Sequence, residues 1–454
     1  MVDSFLPKEF LNSISDCSFF KENDFIKAHL NGPVVSIRNN PFKSFTTFDE
    51  ASMVPWCKEG RYLRNRPEFI FDPLFHAGAY YVQEASSMSL DFILRELNDL
   101  PDEKIVLDLC AAPGGKSTII SSFLNNSGLL VSNENILSRS KILKENLIKW
   151  NSYNSIVTNN DPLDFGVLKQ TFDVILVDAP CSGSGLFRKD KDAIKQWSKE
   201  LVGLCSSRQK RILSDVMPSL KQNGYLIYCT CSFSKEENEE ILDWLMINFD
   251  FESIPVKFPA EWGIVETRSS QVSAVGYRFY PDKLNGEGFF ISILKYSSND
   301  HVSGTKYLKI KSKESQIESV KKWIAHQDGI SIHKENDDFI LFPQKYYQLA
   351  QSIKEHLNGI NYGVIIGREV HGELIPDHQL AMSLFLSDEV TSIELNLADS
   401  IKFLRKENIA IHSDAKGWVV VKYLGLSLGW IKILNNRSNN YYPKEWRILK
   451  EYRR

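Results

Sequence analysis

A chain of 454 residues exceeds one ordinary domain, and the usual scale of about 100–200 residues per domain predicts two to four. A composition of 43% hydrophobic and 24% charged residues is that of a soluble globular protein, and the formal net charge of -3 offers no global attraction for a polyanion. No apolar run approaches the roughly 18 residues of a membrane span, and the opening MVDSFLPKEFLNSI lacks the layout of a signal peptide, so a cytoplasmic protein without a membrane partner is expected.

Residues 1–67 mix helical and strand-like patterns and read as a small N-terminal α/β domain, with a cationic cluster in GRYLRNRPEF (Arg61, Arg64, Arg66). Over 68–296 apolar strands alternate with amphipathic helices, the signature of a doubly wound, mostly parallel, Rossmann-like α/β sheet. The clearest strands are KIVLDLC (104–110), GLLVSNE (128–134), FDVILVDAP (172–180) and GYLIYCTC (224–231). Helical stretches include Lys116–Leu124 and Ala193–Leu220. In the second, Leu201, Leu204, Ile212, Leu213 and Val216 recur at helical spacing and should face the sheet, with Cys205 beside them as core filler. The polar, serine- and lysine-rich stretch 297–312 reads as a linker, 313–385 as a small α/β domain and 386–454 as a compact, mostly β module. From Val421 onward eight basic side chains stand against two acidic ones, a local excess suited to phosphates. The seven cysteines are odd in number and include no CxxC pair, which predicts free thiols and no metal site.

In an open parallel sheet, ligands bind beyond the carboxyl ends of the strands, near the point where strand order reverses. Strand 104–110 runs into Ala111-Ala112-Pro113-Gly114-Gly115-Lys116-Ser117, a glycine turn that opens a helix and lets backbone N–H groups approach a ligand. The second strand ends in Glu134, 20 residues after Gly114, the spacing at which an acid commonly meets a ribose hydroxyl. A nucleoside-containing cofactor follows. The rival is a P-loop ATPase, an ATP-driven RNA remodelling protein, in which Gly115-Lys116-Ser117 ends a Walker A motif and Asp178 a Walker B strand. That pattern wants glycine where Cys110 stands, and Pro113 removes a backbone donor from any phosphate cradle.

The third strand leads to Asp178-Ala179-Pro180-Cys181 and the fourth to Cys229-Thr230-Cys231. Alternation would put Cys229 and Cys231 on the same side if the strand persisted that far, but the helix start signalled next places Cys231 in the strand-to-helix loop, facing the crevice, and leaves Cys229 packed inside the strand. Ser234 and Glu237 have capping-box spacing, and Glu236, Glu239 and Glu240 enrich a first turn, so a helix is predicted to start directly after Cys231 and favour its thiolate. Two thiols on convergent strand ends, Cys181 and Cys231, point to chemistry rather than packing.

DLCAAPGGKS (108–117), DAPCSGSG (178–185) and YCTCS (228–232), in that order, resemble the Sun/Fmu family of S-adenosylmethionine-dependent RNA cytosine-C5 methyltransferases. HAGAYYVQEASSM (76–88), FRKD (187–190), GYRFYPDKLNGEGFF (276–290) and the terminal segment 423–448 are similar to the bacterial RsmF-type subgroup, which acts on a cytosine of 16S ribosomal RNA. The likeness spans nearly the whole chain. It implies a Rossmann-like methyltransferase core using S-adenosyl-L-methionine, an N-terminal RNA-binding domain and a C-terminal PUA-like RNA-binding module. It also implies Cys231 as the nucleophile on C6 of cytosine, Cys181 as the thiol that resolves the adduct, and Asp178 as an acid on the cytosine ring. Cys110, Ala111, Ala112, Pro113, Gly114, Gly115 and Lys116 would form the cofactor loop with Asp178 beside it. Glu134 would hold the ribose and Asp161 the adenine edge. Two positions depart from the family: Cys229 stands where serine is common, and Pro162 follows Asp161 where glycine is common.

The chemistry wants these residue types, because cytosine C5 is a poor nucleophile until a thiol adds at C6. The target base must leave its stack, so single-stranded or opened RNA is the expected substrate, as 16S rRNA or the small subunit, with tRNA the alternative. Arg38, Arg61, Arg64, Arg66, Arg188, Lys189 and the basic C-terminus are the candidates for phosphates. Tyr441 and Tyr442 could stack on bases, though packing within the module is the expected role. A monomer is expected, since the sheet covers its own faces.

Overall fold

The computed structural model describes residues 5–17, 19–125, 127–297, 318–325, 328–411, 414–435 and 437–452. The expected linker, from 298 on, and Arg453 and Arg454 of the basic tail lie outside them. No described helix is long and apolar enough to cross a membrane.

An N-terminal antiparallel sheet is formed by β1 (Val35–Asn39), β2 (Ser52–Val54), β3 (Cys57–Leu63) and β4 (Tyr80–Val82), in the order β2-β3-β1-β4. Its fourth strand lies beyond the expected boundary at 67: Ile37 pairs with Val82 and Asn39 with Tyr80, so 68–79 is a return loop inside this unit.

The central sheet has ten strands. Parallel β5 (Ile105–Asp108), β6 (Leu129–Asn133), β7 (Ser155–Thr158), β8 (Phe172–Asp178) and β9 (Leu220–Thr230) lie in the order β9-β8-β5-β6-β7. Antiparallel β10 (Phe251–Ser253), β11 (Val265–Arg268), β12 (Val275–Phe279) and β13 (Phe289–Tyr296) extend the β9 side. The parallel strands are buried on both faces, which is why they read as unbroken apolar runs. One face packs Leu107, Ile175 and Leu226 against Ile212 and Leu213 of the helix Lys199–Val216. The other packs Val106, Leu130 and Leu176 against Ile119, Ile120 and Leu143.

The single helix expected over 193–220 is three pieces, Lys191–Gln196, Lys199–Val216 and a 3-10 turn at Met217–Ser219. Ser198 caps the long piece by accepting the Leu201 N–H at 3.1 Å, and Pro218 in the last turn cannot continue it. Its buried stripe is Val202, Cys205, Gln209, Ile212, Leu213 and Val216. Leu204, expected on the sheet, lies off that stripe and is 66% exposed; Cys205 is buried as expected.

Beyond the linker, β14 (Ile330–Glu335), β15 (Asp338–Pro343), β17 (Val364–Val370) and β18 (Glu373–Pro376) form a third, antiparallel sheet. Between them β16 (Asn361–Tyr362) pairs with β7, and the helix Tyr347–His356 packs Leu349, Ala350 and Ile353 into the central core, so this unit is built onto the central sheet. The C-terminal module carries β19 (Ser392–Glu394), β20 (Gly417–Tyr423), β21 (Leu426–Leu434) and β22 (Arg437–Asn440). Phe403, Leu404, Val419, Ile431 and Tyr442 share its core with Phe71 and Ala77 from the loop between β3 and β4. Tyr442 is therefore packed, while Tyr441 is exposed beside Trp418, with ring centroids 4.4 Å apart.

Candidate active site

The chain leaves β5 toward β6 and β7, then returns on the other side through β8 and β9, so the topological switch lies between β5 and β8. The loops after β5, β8 and β9 converge there. After β5, Gly114 adopts φ 115° as the residue before the helix Gly115–Leu124, a conformation open to glycine. The Ala112 and Pro113 carbonyls accept hydrogen bonds from Arg139 (2.7 Å) and Asn146 (2.8 Å), which fixes the turn from its outer side.

A cavity with about 520 Å³ of free space lies along this turn, lined by Tyr81, Glu84, Asp108, Gly115, Lys116 and Asp178 among others. Three of these are carboxylic acids against one ammonium. Asp108 is fully buried; its Oδ2 accepts from Ser117 Oγ at 2.6 Å, while its Oδ1 has no hydrogen-bond partner among the described residues. Burial, opposed by the Ser117 bond, pushes its pKa up to about 7. An orphaned acid in an acidic cavity suits a ligand with a cationic end, and the same lining repels a triphosphate. Lys116 donates to Asp178 at 2.7 Å; burial works against its charge, but the attraction of Asp178 prevails and holds it protonated.

Glu134 and Asp161 stand outside the residues that line this cavity. Glu134, at the end of β6, is buried, accepting from the Ile136 N–H at 2.9 Å and facing Arg139 at 3.3 Å. Asp161 caps the 3-10 turn Pro162–Val167 and pairs with Arg211 at 2.9 Å. The proline after it serves as the first residue of that turn.

Asp178 at the end of β8 lies opposite Cys229 in the parallel ladder with β9. One step on, Cys181 and Cys231 meet, with Sγ atoms 2.9 Å apart. The hydrogen bond to Cys231, then burial, pushes the Cys181 thiol well above the ordinary range, so Cys181 stays protonated. Cys229 is wholly buried, 3.5 Å from Asp178; burial and then that carboxylate hold its thiol protonated. All seven cysteines are free.

The capping box does not form. Ser234 makes no cap bond, Lys235–Glu237 is a 3-10 turn, and the α-helix begins only at Glu239. Glu237 is instead drawn inward by donors from the two thiol loops. Cys231 is consequently separated from the helix start expected directly after it. The loops touch through glycine: the Gly185 N–H donates to Cys231 O at 2.8 Å and accepts at its own carbonyl from Gly288 N–H at 3.2 Å. A Cβ on Gly185 would lie 2.3 Å from Gly288 O.

Two cations proposed for phosphates are structural. Arg38 is buried, donating to Gln83 (3.0 Å) and Thr118 (2.5 Å) and lying over the Trp150 ring. Arg188 pairs with Glu287 at 2.9 Å with both side chains shielded from water. Arg61 is half-buried and donates to the Lys58 carbonyl. Arg64, Arg66, Lys189, Lys444 and Arg447 are exposed. Sequence reasoning missed Tyr81 and Glu84, although both lie in the HAGAYYVQEASSM segment, and it misread Glu237 as a cap.

The family description "16S rRNA methyltransferase RsmB/F" matches residues 96–295, that of the RsmF N-terminal domain matches 6–85, and that of the RsmF PUA domain matches 390–448. The chain is 31% identical to ribosomal RNA small subunit methyltransferase F of Shewanella woodyi, covering 97% of this chain and 96% of that protein. The protein of the same name from Vibrio vulnificus strain YJ016 is 31% identical, with 97% of each chain covered. Among solved structures, a methyltransferase homolog protein from Pyrococcus horikoshii superposes with a TM-score of 0.50 at 29% identity, over 64% of this chain and 100% of that one. NSun6 from Pyrococcus horikoshii with SFG gives a TM-score of 0.54 at 20% identity over 64% of this chain and 99% of that one, a likeness of fold.

Proposed function

The chain belongs to the 16S rRNA methyltransferase RsmB/F family, and from that premise we propose that it methylates C5 of a cytosine in small-subunit ribosomal RNA through a transient bond from Cys231 to the ring. The observation that carries this reading is the Cys181–Cys231 pair beside an acidic cavity at the switch point of the sheet.

S-adenosylmethionine, when bound, supplies an electrophilic methyl group on a sulfonium centre. Asp108 and Glu84 offer carboxylates to its cationic end, and the turn from Cys110 to Lys116 forms the wall beside it. In this reading Glu134 and Asp161 serve the ribose and adenine ends. The Cys231 thiol gives up its proton to solvent and its sulfur adds to C6; the electron pair of the 5,6 double bond shifts to C5, which would take the methyl group as the methyl–sulfur pair stays with a departing neutral thioether. Asp178, held by Lys116, presents its carboxyl to the cytosine ring. The C5 proton then leaves to solvent; its bonding pair restores the double bond and expels the Cys231 thiolate. Cys181, in contact with that sulfur, serves the expulsion. The base reaches the crevice only when flipped out of its stack, and exposed Arg64, Arg66, Lys189, Lys444 and Arg447 hold flanking phosphates.

Incubation with tritiated S-adenosylmethionine and small ribosomal subunits or their RNA should label one cytosine, and label confined to transfer RNA would replace the substrate. Cys231→Ala should abolish transfer, whereas Cys181→Ala should leave a protein–RNA adduct that survives a denaturing gel. An adduct from Cys231→Ala instead would exchange the two roles.

A further inference from the structure

Glu237 is fully buried on the 3-10 turn that follows the second thiol. One carboxylate oxygen accepts the Ser182 N–H at 2.8 Å and Gln209 Nε2 at 3.3 Å; the other accepts Ser182 Oγ and Ser232 Oγ, both at 2.5 Å. Ser182 and Ser232 are the residues directly after Cys181 and Cys231. One carboxylate thus fastens the loop after β8 to the loop after β9 immediately behind the two sulfurs. Gln209 adds a second tie by donating to Pro180 O at 3.0 Å, on the other side of Cys181.

The two loops depend on this carboxylate unequally. Cys231 follows the last residue of β9, which is hydrogen-bonded on both sides, and its own carbonyl is held by Gly185. Cys181 sits in an irregular loop turning through Gly183 at φ 74°. Of the four donors to Glu237, two come from Ser182 and a third, Gln209, also grips the residue before Cys181. A buried carboxylate with four neutral donors and no cation among them is expensive to keep charged, and that expense is accepted here to hold one geometry.

We propose that Glu237 is a positioning residue that sets the separation of Cys181 from Cys231, and that it governs the expulsion of the nucleophile more than its attack. The inference rests on the roles given above to the two thiols. Attack at C6 requires Cys231 to meet the base, and that sulfur is placed chiefly by β9 and by the Gly185 bond to its carbonyl, with Ser232 Oγ the one donor to Glu237 from its side. Expulsion requires Cys181 to stay within reach of the C6–S bond, and a displacement of about 1 Å is enough to slow such a step by about a hundredfold.

RNA carrying 5-fluorocytosine separates the steps, because fluorine at C5 cannot leave as a proton does and the adduct accumulates at the rate it forms. With Glu237→Ala, trapping on this RNA should stay within about threefold of the unsubstituted protein. Turnover on ordinary RNA should fall by about tenfold or more, with adduct visible on a denaturing gel. Glu237→Gln keeps the shape and an acceptor for the Ser182 N–H, so it should recover most of the loss. Ser182→Ala removes the hydroxyl bond to Glu237, together with its 3.3 Å contact to Ser232 Oγ, and leaves Glu237 in place; it should show the same split, more weakly, and it decides the matter if thermal unfolding shows that Glu237→Ala does not fold. Equal losses in trapping and turnover, or a Gln variant no better than Ala, overturn the proposal. If Cys231→Ala still traps 5-fluorocytosine RNA, the thiol assignment itself fails, and that result is independent of any Glu237 variant.

Discussion

Asp108 shows how one atom can report on a whole cavity. Its carboxyl ionises near pH 7 in the fold against 3.8 unfolded, so the native state holds a proton that the unfolded chain has lost. Without ligand, its contribution to stability is lost as pH rises from about 4 through about 7. A ligand with a cationic end reverses the preference and draws the ionised form. Affinity for S-adenosylmethionine should therefore weaken as pH falls below about 7, and Asp108→Asn should flatten that dependence. Calorimetric titration between about pH 6 and pH 8 checks it; an unchanged slope in the Asn variant would remove Asp108 from the site. At this scale the thiols were legible in the sequence because the strand ends between them, which separated packed Cys229 from Cys231 in the loop. Arg38 and Arg188 were not, because a cation becomes structural only through partners such as Thr118 and Glu287, which lie 80 and 99 residues away.

Strands β5, β6, β8 and β9 could be read directly, since strands buried on both faces are continuously apolar. The helices misled wherever local rules met tertiary demand. Ser234 and Glu237 have the spacing of a capping box, yet the serines behind the thiols outbid the backbone for the carboxylate. The break at Trp197–Ser198 carries no glycine or proline to announce it. Contacts between elements give a sharper prediction at Gly288, which faces Gly185 across the thiol loops. A Cβ there would fall 2.3 Å from Phe233 Cζ and 2.6 Å from Gly185 Cα. Gly288→Ala should lower stability by about 1–3 kcal/mol and turnover by more than thermal unfolding accounts for. Unaltered kinetics in that variant would mean that the loops tolerate being pried apart.

Across the whole molecule, the expected boundaries failed where a segment pairs with a sheet far away in the chain: β4 closes the N-terminal sheet, and β16 borders the catalytic one. No local pattern announces such pairings. The C-terminal module is docked in the same manner, with His76 buried and His378 half-buried, its ring nitrogens shielded, where it meets the rest. Both ring nitrogens of His378 lack partners among the described residues, and His76 lies 3.5 Å from the Tyr442 hydroxyl. Burial pushes both imidazoles down to about 3 from 6.5. The unfolded chain takes up these protons and the native one does not. Stability is therefore complete above pH 6.5 and is lost as pH falls from there toward about 3. Each histidine adds about 1.4 kcal/mol per pH unit to that slope. Denaturant unfolding across this range should show a shallower slope in His378→Gln, and an unaltered slope would contradict the burial described here. Arg38 on β1, braced by Gln83, links the N-terminal sheet directly to Thr118 on the helix that opens at the glycine turn. A chimera that grafts this N-terminal unit onto another catalytic body will need the recipient's matching threonine and tryptophan as well, because the joint is a mortise cut into both pieces and not a hinge.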